Sequence, residues 1–116
     1  MLIIRQAQLD EIGKIKLNNF IQHMFDYLRK TFEKKFQKLS NDELVHFIEV
    51  GIEKAQSYEI KTEIHISKYI VIMTKLNNYF DQQAWANRIL RNAYRDVDSA
   101  LMKLEDKTES LINTKK

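Results

Sequence analysis

The 116-residue sequence contains no cysteine, no proline and only two glycines, Gly13 and Gly51. Without cysteine the chain has no disulfide scaffold, no cysteine zinc site and no cysteine nucleophile. The scarcity of proline and glycine argues against sandwiches, barrels and glycine-rich phosphate loops, because these structures need both residues in their turns. The absences favour long helices joined by short polar turns.

The sequence also has no long apolar run, and its first residues predict no cleaved secretion signal. No stretch approaches the roughly 20 apolar residues of a membrane-spanning helix. The opening Met1-Leu-Ile-Ile-Arg5 is too short for the apolar core of a signal peptide, and acids follow at Asp10 and Glu11. The sequence therefore predicts a soluble, cytoplasmic protein that does not associate with a membrane.

Apolar residues recur in steps of three and four along most of the chain, which is typical of amphipathic helices. With 44% hydrophobic and 30% charged residues, the sequence predicts an all-α fold in a single domain over residues 1–116. The expected architecture is a compact bundle of about four helices with a long first helix. Residues 1–5 are expected to form an extended arm, and residues 106–116 a frayed tail.

The first helix is predicted over residues 6–38 from its apolar stripe. The stripe comprises Leu9, Ile12, Leu17, Phe20, Ile21, Met24, Leu28, Phe32, Phe36 and Leu39. A helix of about 30 residues spans roughly 45 Å, which exceeds the length of the other predicted helices. One end of its stripe is therefore expected to stay exposed, either Phe32, Phe36 and Leu39 or Leu9 and Ile12.

Polar residues mark the starts of the later helices. Ser40 and Glu43 have the spacing of a capping box, which predicts a helix to about residue 57. Thr62 is expected to cap a third helix that reaches about residue 79 and lies centrally, because it is the most broadly hydrophobic. Asp81 is expected to cap a fourth helix over residues 82–104. A break of this helix at residues 95–99, where poor helix formers cluster, is left open.

The glycine at position 51 lies on the inner stripe of the second predicted helix. The third helix has its predicted inner stripe on residues that include Ile64 and Tyr69. A glycine on an inward face lets two helices approach closely, since it has no side chain. We therefore expect Gly51 to mark a close helix contact.

Polar residues offer no catalytic or metal-binding pattern. No histidine has a second histidine three or four residues away, so the helical metal pair is absent and structural or solvated roles are favoured. The histidines are His23, His46 and His65. The carboxylate pairs Glu49–Glu53 and Glu59–Glu63 lie among polar residues, which favours solvated faces over catalysis. The sequence predicts no enzyme activity, no metal and no cofactor.

Aromatic residues of the second half are the predicted partner-binding residues. These candidates are Tyr58, Tyr79, Phe80 and Trp85. Tyrosine and tryptophan are favoured anchors of protein interfaces, although small bundles also bury them. For Trp85 a core role is preferred, whereas Tyr58 and Tyr79 lie near helix ends and are the better interface candidates.

Several segments together resemble small helical accessory proteins that are encoded in type VI secretion effector gene clusters of Gram-negative bacteria. The segments, spread over residues 1–90, are Met1-Leu-Ile-Ile-Arg5, Met24-Phe-Asp-Tyr-Leu28 before Phe32, Glu43-Leu44, Gly51-Ile-Glu-Lys-Ala55, Tyr58-Glu-Ile60, Phe80-Asp81, Trp85-Ala86 and Ile89-Leu90. The family pattern has Tyr-Gly-Ile where this chain has Tyr58-Glu59-Ile60. A special backbone geometry is therefore not expected at this turn. The resemblance implies an accessory role in holding or loading an effector, and it carries no catalytic residues.

Three functions follow as hypotheses. The leading one is a protein-binding co-chaperone for a type VI secretion effector or its adaptor chaperone. The second is an immunity protein that neutralises a co-encoded toxin. The third and least favoured is a nucleic-acid-binding module, since the net charge of +3 is small for that class. Its candidate residues are the basic run over residues 29–38 and the trio Arg88, Arg91 and Arg95. The oligomeric state is left open.

Overall fold

The computed structural model describes residues 14–114, and this part of the chain is all-α. Its elements are α1 (Lys14–Thr31), α2 (Glu33–Phe36), α3 (Asn41–Ser57), α4 (Glu63–Lys75), a 3-10 turn (Phe80–Gln82), α5 (Ala84–Leu90), a second 3-10 turn (Ala93–Arg95) and α6 (Val97–Thr114). The predicted fold class is confirmed. The predicted number of about four helices is too low, because two of the predicted helices are each divided.

The predicted long first helix is interrupted at Phe32. This residue has φ −118° and ψ 44°, so α1 ends before it and the four-residue helix α2 begins after it. The guanidinium of Arg29 donates hydrogen bonds to the carbonyl oxygens of Phe36 and Leu39, the second at 2.8 Å. These bonds hold the chain beyond α1 close to the side of that helix, so α2 does not continue its axis.

The break buries the far end of the apolar stripe. Phe36 is buried and its ring centroid lies 5.5 Å from that of Phe47 in α3. Phe32 and Leu39 are partly buried against the core. Of the two alternatives for an exposed end, the one that names these three residues is therefore wrong, because a turned chain brings them back onto the bundle. The arm over residues 1–5 and the residues Leu9, Ile12 and Gly13 lie outside the described part.

Helix α3 begins and packs as its sequence predicts. The Ser40 hydroxyl accepts a hydrogen bond from the Glu43 backbone N–H at 3.1 Å, and the Glu43 carboxylate accepts one from the Ser40 N–H at 2.9 Å. This capping box satisfies two N–H groups that the helix cannot pair internally. At Gly51 a Cβ atom would lie 2.6 Å from Ile70 Cγ1 and 3.1 Å from Met73 Sδ. The close approach of α3 to α4 therefore depends on glycine.

Helix α3 ends in a turn with an unusual backbone conformation. Glu59 has φ 67°, in the left-handed region that favours glycine. The Ile60 N–H donates to the Ala55 carbonyl oxygen, and the Glu59 N–H donates to the Gln56 carbonyl oxygen, both at 3.0 Å. This hydrogen-bond pair defines a Schellman motif, in which the left-handed residue is usually glycine. The expectation of an ordinary backbone geometry at this turn is wrong.

Helix α4 lies between α3 and α6, as its broad hydrophobicity predicts. Its cap is the predicted one, since the Thr62 hydroxyl accepts a hydrogen bond from the His65 N–H. Ile66 and Ile72, which lie off the predicted inner stripe, are completely buried. Ile64, which belongs to the predicted stripe, is instead exposed. A helix with apolar residues on several faces gives no unique inward direction, so the sequence pattern selected the wrong side for Ile64.

The predicted fourth helix is divided into α5 and α6. Asp81 does not cap it, because its carboxylate is buried in the 3-10 turn and the residue before α5 is Gln83. Helix α5 ends at Leu90 and α6 begins at Val97. At the start of α6 the Asp96 carboxylate accepts a hydrogen bond from the Ser99 N–H at 3.1 Å. The helix is therefore interrupted, but at residues 91–96, and residues 97–99 of the suggested break are helical. Residues 106–114, expected to fray, are helical, and Thr108 is buried.

Candidate functional site

The four predicted aromatic residues lie in different environments. Phe80 is completely buried, with its ring centroid 5.1 Å from that of Tyr69 in α4. Tyr58 and Trp85 are half-buried and pack against the core. Only Tyr79 is largely exposed, at 66%. The structure therefore makes Phe80 a core residue and leaves Tyr79 with the largest surface of the four.

Tyr58 binds the buried carboxylate of Asp81 directly, whereas Tyr79 is linked to it through Lys54. The Asp81 side chain accepts hydrogen bonds from the Tyr58 hydroxyl at 2.8 Å and from Lys54 Nζ at 3.0 Å. Lys54 Nζ also lies 5.0 Å from the centroid of the Tyr79 ring, in a cation–π contact. The side chain of Gln82 is a third donor to the carboxylate, at 3.2 Å. This network fastens the 3-10 turn to the end of α3.

The network does not suit proton abstraction. Burial, with a hydrogen bond to Asp81, raises the pKa of Tyr58 to about 12. Burial also raises the pKa of Tyr69 above its usual range, with the Asp81 charge as the second cause. Both tyrosines therefore stay protonated at neutral pH. Protonated hydroxyls are neither bases nor nucleophiles: that of Tyr58 donates to Asp81, and the buried hydroxyl of Tyr69 has no hydrogen-bond partner among the described residues.

A groove of about 620 Å³ opens between α1 and α4. Its wall from α1 consists of Phe20, His23, Met24 and Tyr27, and its wall from α4 consists of Glu63, Ile64, Ser67, Lys68 and Val71, with Glu105 of α6 beside them. On each helix these residues are spaced so that they share one face. We call this surface the α1–α4 groove.

Two large apolar side chains stand exposed in the α1–α4 groove. Ile64 is 64% exposed and Tyr27 is 47% exposed. Beside them Phe20 and Met24 are buried and belong to the core. The groove therefore joins exposed apolar surface directly to the hydrophobic core, which is typical of surfaces that other proteins cover.

Polar groups of the α1–α4 groove carry both signs of charge. His23 and Glu63 are exposed, whereas Ser67, Lys68 and Glu105 are half-buried. The Ser67 hydroxyl donates to the Ile64 carbonyl oxygen at 2.7 Å, so it serves its own helix. The remaining groups offer hydrogen bonds and ion pairs to a partner. The sequence missed this site, because its apolar part was assigned to the core.

The three histidines lie on three different helices, whereas Glu49 is near enough to His46 and Glu53 on α3 for their charges to act on its pKa. His23 and His46 are exposed, and His65 Nε2 lies 2.7 Å from a carboxylate oxygen of Asp98. Glu49, predicted to be solvated, is buried, and burial raises its pKa above the usual value. Within residues 14–114 no group of three or more histidine, aspartate and glutamate residues has the arrangement of a metal site.

A second surface combines aromatic and basic side chains. The indole of Trp85 donates to the Gln83 amide oxygen at 2.9 Å, and Lys107 Nζ lies 6.0 Å from its ring centroid. Arg88 and Lys103 line the same shallow depression. We call this surface the α5–α6 face. Of the predicted basic trio, Arg88 and Arg91 line one depression, but Arg95 lies beyond the end of α5 and instead contacts its neighbour Tyr94.

Comparison with known proteins adds no relative. The chain matches no protein-family model, no curated protein and no solved structure. Among the helices of the described residues, none is long and apolar enough to cross a membrane.

Proposed function

We propose that the protein is a non-enzymatic accessory factor that binds another protein through the α1–α4 groove. The observation that carries this proposal is the exposure of Ile64 and Tyr27 beside the buried residues Phe20 and Met24. Exposed apolar side chains that continue into a core favour a partner that covers them. We infer that this partner inserts apolar side chains between the two helices.

The shape of the α1–α4 groove favours an amphipathic helix as its occupant. The lining residues span positions 20–27 of α1 and 63–71 of α4, and at 1.5 Å per residue the two walls are about 12 and 14 Å long. A partner helix bound between them would place its apolar side chains over Ile64 and Tyr27, in the helix-in-groove mode. Complete burial of one large apolar side chain contributes about 1.5–3 kcal/mol, so these two residues would supply much of the affinity.

The partner that we propose is a type VI secretion effector or its adaptor chaperone. This part of the proposal rests on the family resemblance of residues 1–90, which implies a co-chaperone role in effector loading. We also propose, on the same resemblance, that the protein acts in the bacterial cytoplasm, where an effector is loaded before export. Tyr79 is kept as a further candidate contact, since its ring is exposed.

A pull-down from the native bacterium tests the proposal. The tagged protein is expected to recover the co-encoded effector or its adaptor. The variant with Tyr27→Ser and Ile64→Ser should lose at least tenfold of this binding, which corresponds to about 1.4 kcal/mol. Tyr94→Ser is the matched control, because Tyr94 is 60% exposed and lies outside the groove.

Two outcomes would contradict the proposal. Equal recovery by the groove variant and by Tyr94→Ser would show that the α1–α4 groove is not the binding surface. Rescue of cells from the co-encoded toxin, with secretion intact after deletion of the gene, would assign the protein as an immunity protein. Circular dichroism of each variant verifies that the helices are retained.

A further inference from the structure

The α5–α6 face gathers cations around the only tryptophan of the chain. Its depression of about 490 Å³ is lined by Trp85, Arg88, Ile89, Lys103, Asp106 and Lys107. Three of these six residues are cationic and one is anionic. Trp85 and Ile89 are half-buried, so their exposed edges add apolar surface between the charges.

The charges of α6 are divided between its two exposed sides. Asp98 and Glu109 pair with side chains of α4, with nitrogen–oxygen distances of 2.7 and 3.6 Å. Among the described residues, Lys103 and Lys107 form no ion pair. Two of the four carboxylates of α6 are thus used in ion pairs with α4, whereas Asp106 lies on the α5 side together with the two available lysines.

The positive surface continues along α5. Arg88 and Arg91 line a neighbouring depression together with the amides of Asn87 and Asn92. Both arginines are exposed, and no carboxylate of the described residues lies within salt-bridge distance of them. The arginine side chain presents several donors in a planar fork, which matches a carboxylate in two-point contact.

We propose that the α5–α6 face binds an acidic segment of a partner protein, with one apolar side chain of that segment on Trp85 and Ile89. The complementarity is of charge, between the carboxylates of the segment and Arg88, Lys103 and Lys107. A nucleic acid fits less well, because its continuous row of phosphates would place negative charge opposite Asp106, whereas a peptide segment can place a neutral residue there. The face offers one aromatic ring, whereas proteins that bind single-stranded nucleic acids stack successive bases on several aromatic side chains.

This face is separate from the α1–α4 groove. Glu105 of α6 lines the groove, whereas Lys103, Asp106 and Lys107 line the depression against α5. The inference therefore goes beyond the proposed function and does not rest on it. A protein with both surfaces could hold two partners, or two segments of one partner, at the same time.

Fluorescence of Trp85 reports directly on this face, because no other tryptophan contributes. The probe is a short synthetic peptide rich in aspartate and glutamate that carries leucine and no tryptophan. Its addition at low salt is expected to shift the emission of Trp85 with a saturable dependence on peptide concentration. A peptide with serine in place of every acidic residue should give no saturable shift.

Charge-neutral variants locate the binding. The triple variant Arg88→Gln, Lys103→Gln and Lys107→Gln is expected to weaken binding roughly tenfold, since an exposed ion pair contributes about 0.2–1 kcal/mol. The control changes three exposed lysines near α2 and alters net charge equally: Lys34→Gln, Lys35→Gln and Lys38→Gln. It should keep the affinity within about twofold, as measured by calorimetry, which does not depend on Trp85.

The outcomes decide the proposal. Absence of a saturable shift in the Trp85 emission would overturn the proposal. An equal loss of affinity in both triple variants would also overturn it, because it would show that the peptide is attracted by the net charge of the protein and not by this face. Tighter binding of a single-stranded oligonucleotide than of the peptide would assign the face to nucleic acid. The groove variant with Tyr27→Ser and Ile64→Ser is expected to bind the peptide normally, so failure of either proposal leaves the other testable.

Discussion

Glycine in place of Glu59 is expected to stabilise the protein. Glu59 has φ 67° in the Schellman turn after α3, where a side chain crowds the backbone. The hydrogen bonds of the Glu59 and Ile60 N–H groups involve the backbone alone, so they do not require the glutamate. Glu59→Gly therefore removes strain and keeps the contacts that end the helix.

The magnitude follows from three opposing contributions. A left-handed conformation costs a residue with a side chain roughly 1–2 kcal/mol, which glycine recovers. Glycine loses more conformational freedom on folding, which offsets roughly 0.5–1 kcal/mol of that gain. The carboxylate of Glu59 lies 3.5 Å from Lys61 Nζ, but both side chains are about half exposed, so this ion pair contributes little. The expected net stabilisation is about 0.5–1 kcal/mol.

Urea unfolding followed by circular dichroism measures this difference. Glu59→Ala is the control, because it removes the same carboxylate but keeps a Cβ atom in the strained conformation, and it should give no gain. Glu59→Asn should lie between the two, since asparagine tolerates the left-handed region. If Glu59→Gly is no more stable than Glu59→Ala, the assigned strain is wrong.

Two further predictions concern the core. Gly51→Ala should lower the free energy of unfolding by about 1 kcal/mol in urea titrations. Overpacking against Ile70 costs about 2 kcal/mol, the middle of the usual range, and the better helix propensity of alanine returns about 1. An unchanged or higher stability would contradict the close approach. The second concerns alkaline pH. Because the folded state raises the pKa of Tyr58 from 10.0 to about 12, its contribution is present below pH 10.0 and is lost as the pH rises through about 12. Tyr58→Phe should flatten this fall in urea titrations between pH 8 and about 12. A slope equal to that of the unaltered protein would refute the assignment.

Local features of the fold could be predicted from the sequence. The capping box of Ser40 and Glu43 and the cap at Thr62 are set by residues three apart, so their physical cause lies within the sequence window. Gly51 was predictable because its position on an apolar stripe leaves few other uses for a glycine. The left-handed turn at Glu59 was missed, since the residue type there gives no signal of the conformation.

Features that depend on distant residues could not be predicted. The break at Phe32 leaves the apolar spacing of a continuous helix intact and depends on contacts of Arg29 and Phe36 that only the folded chain provides. Asp81 has the sequence position of a cap, but Lys54, 27 residues earlier, draws its carboxylate into the bundle. The α1–α4 groove was missed for a similar reason, because the spacing of Ile64 suits both an inward and an outward face.

The central position of α4 also determines the order in which the molecule opens to solvent. Its centre is covered on one side by α3 and on the other by α6, so we expect the amide protons there to become accessible only when the whole bundle unfolds. The short helix α2 packs at the margin and is held by Arg29, and its amides can exchange after a local opening. Hydrogen exchange would thus show a slowly exchanging layer around Tyr69 and Ile70, and faster exchange toward the margins of the bundle.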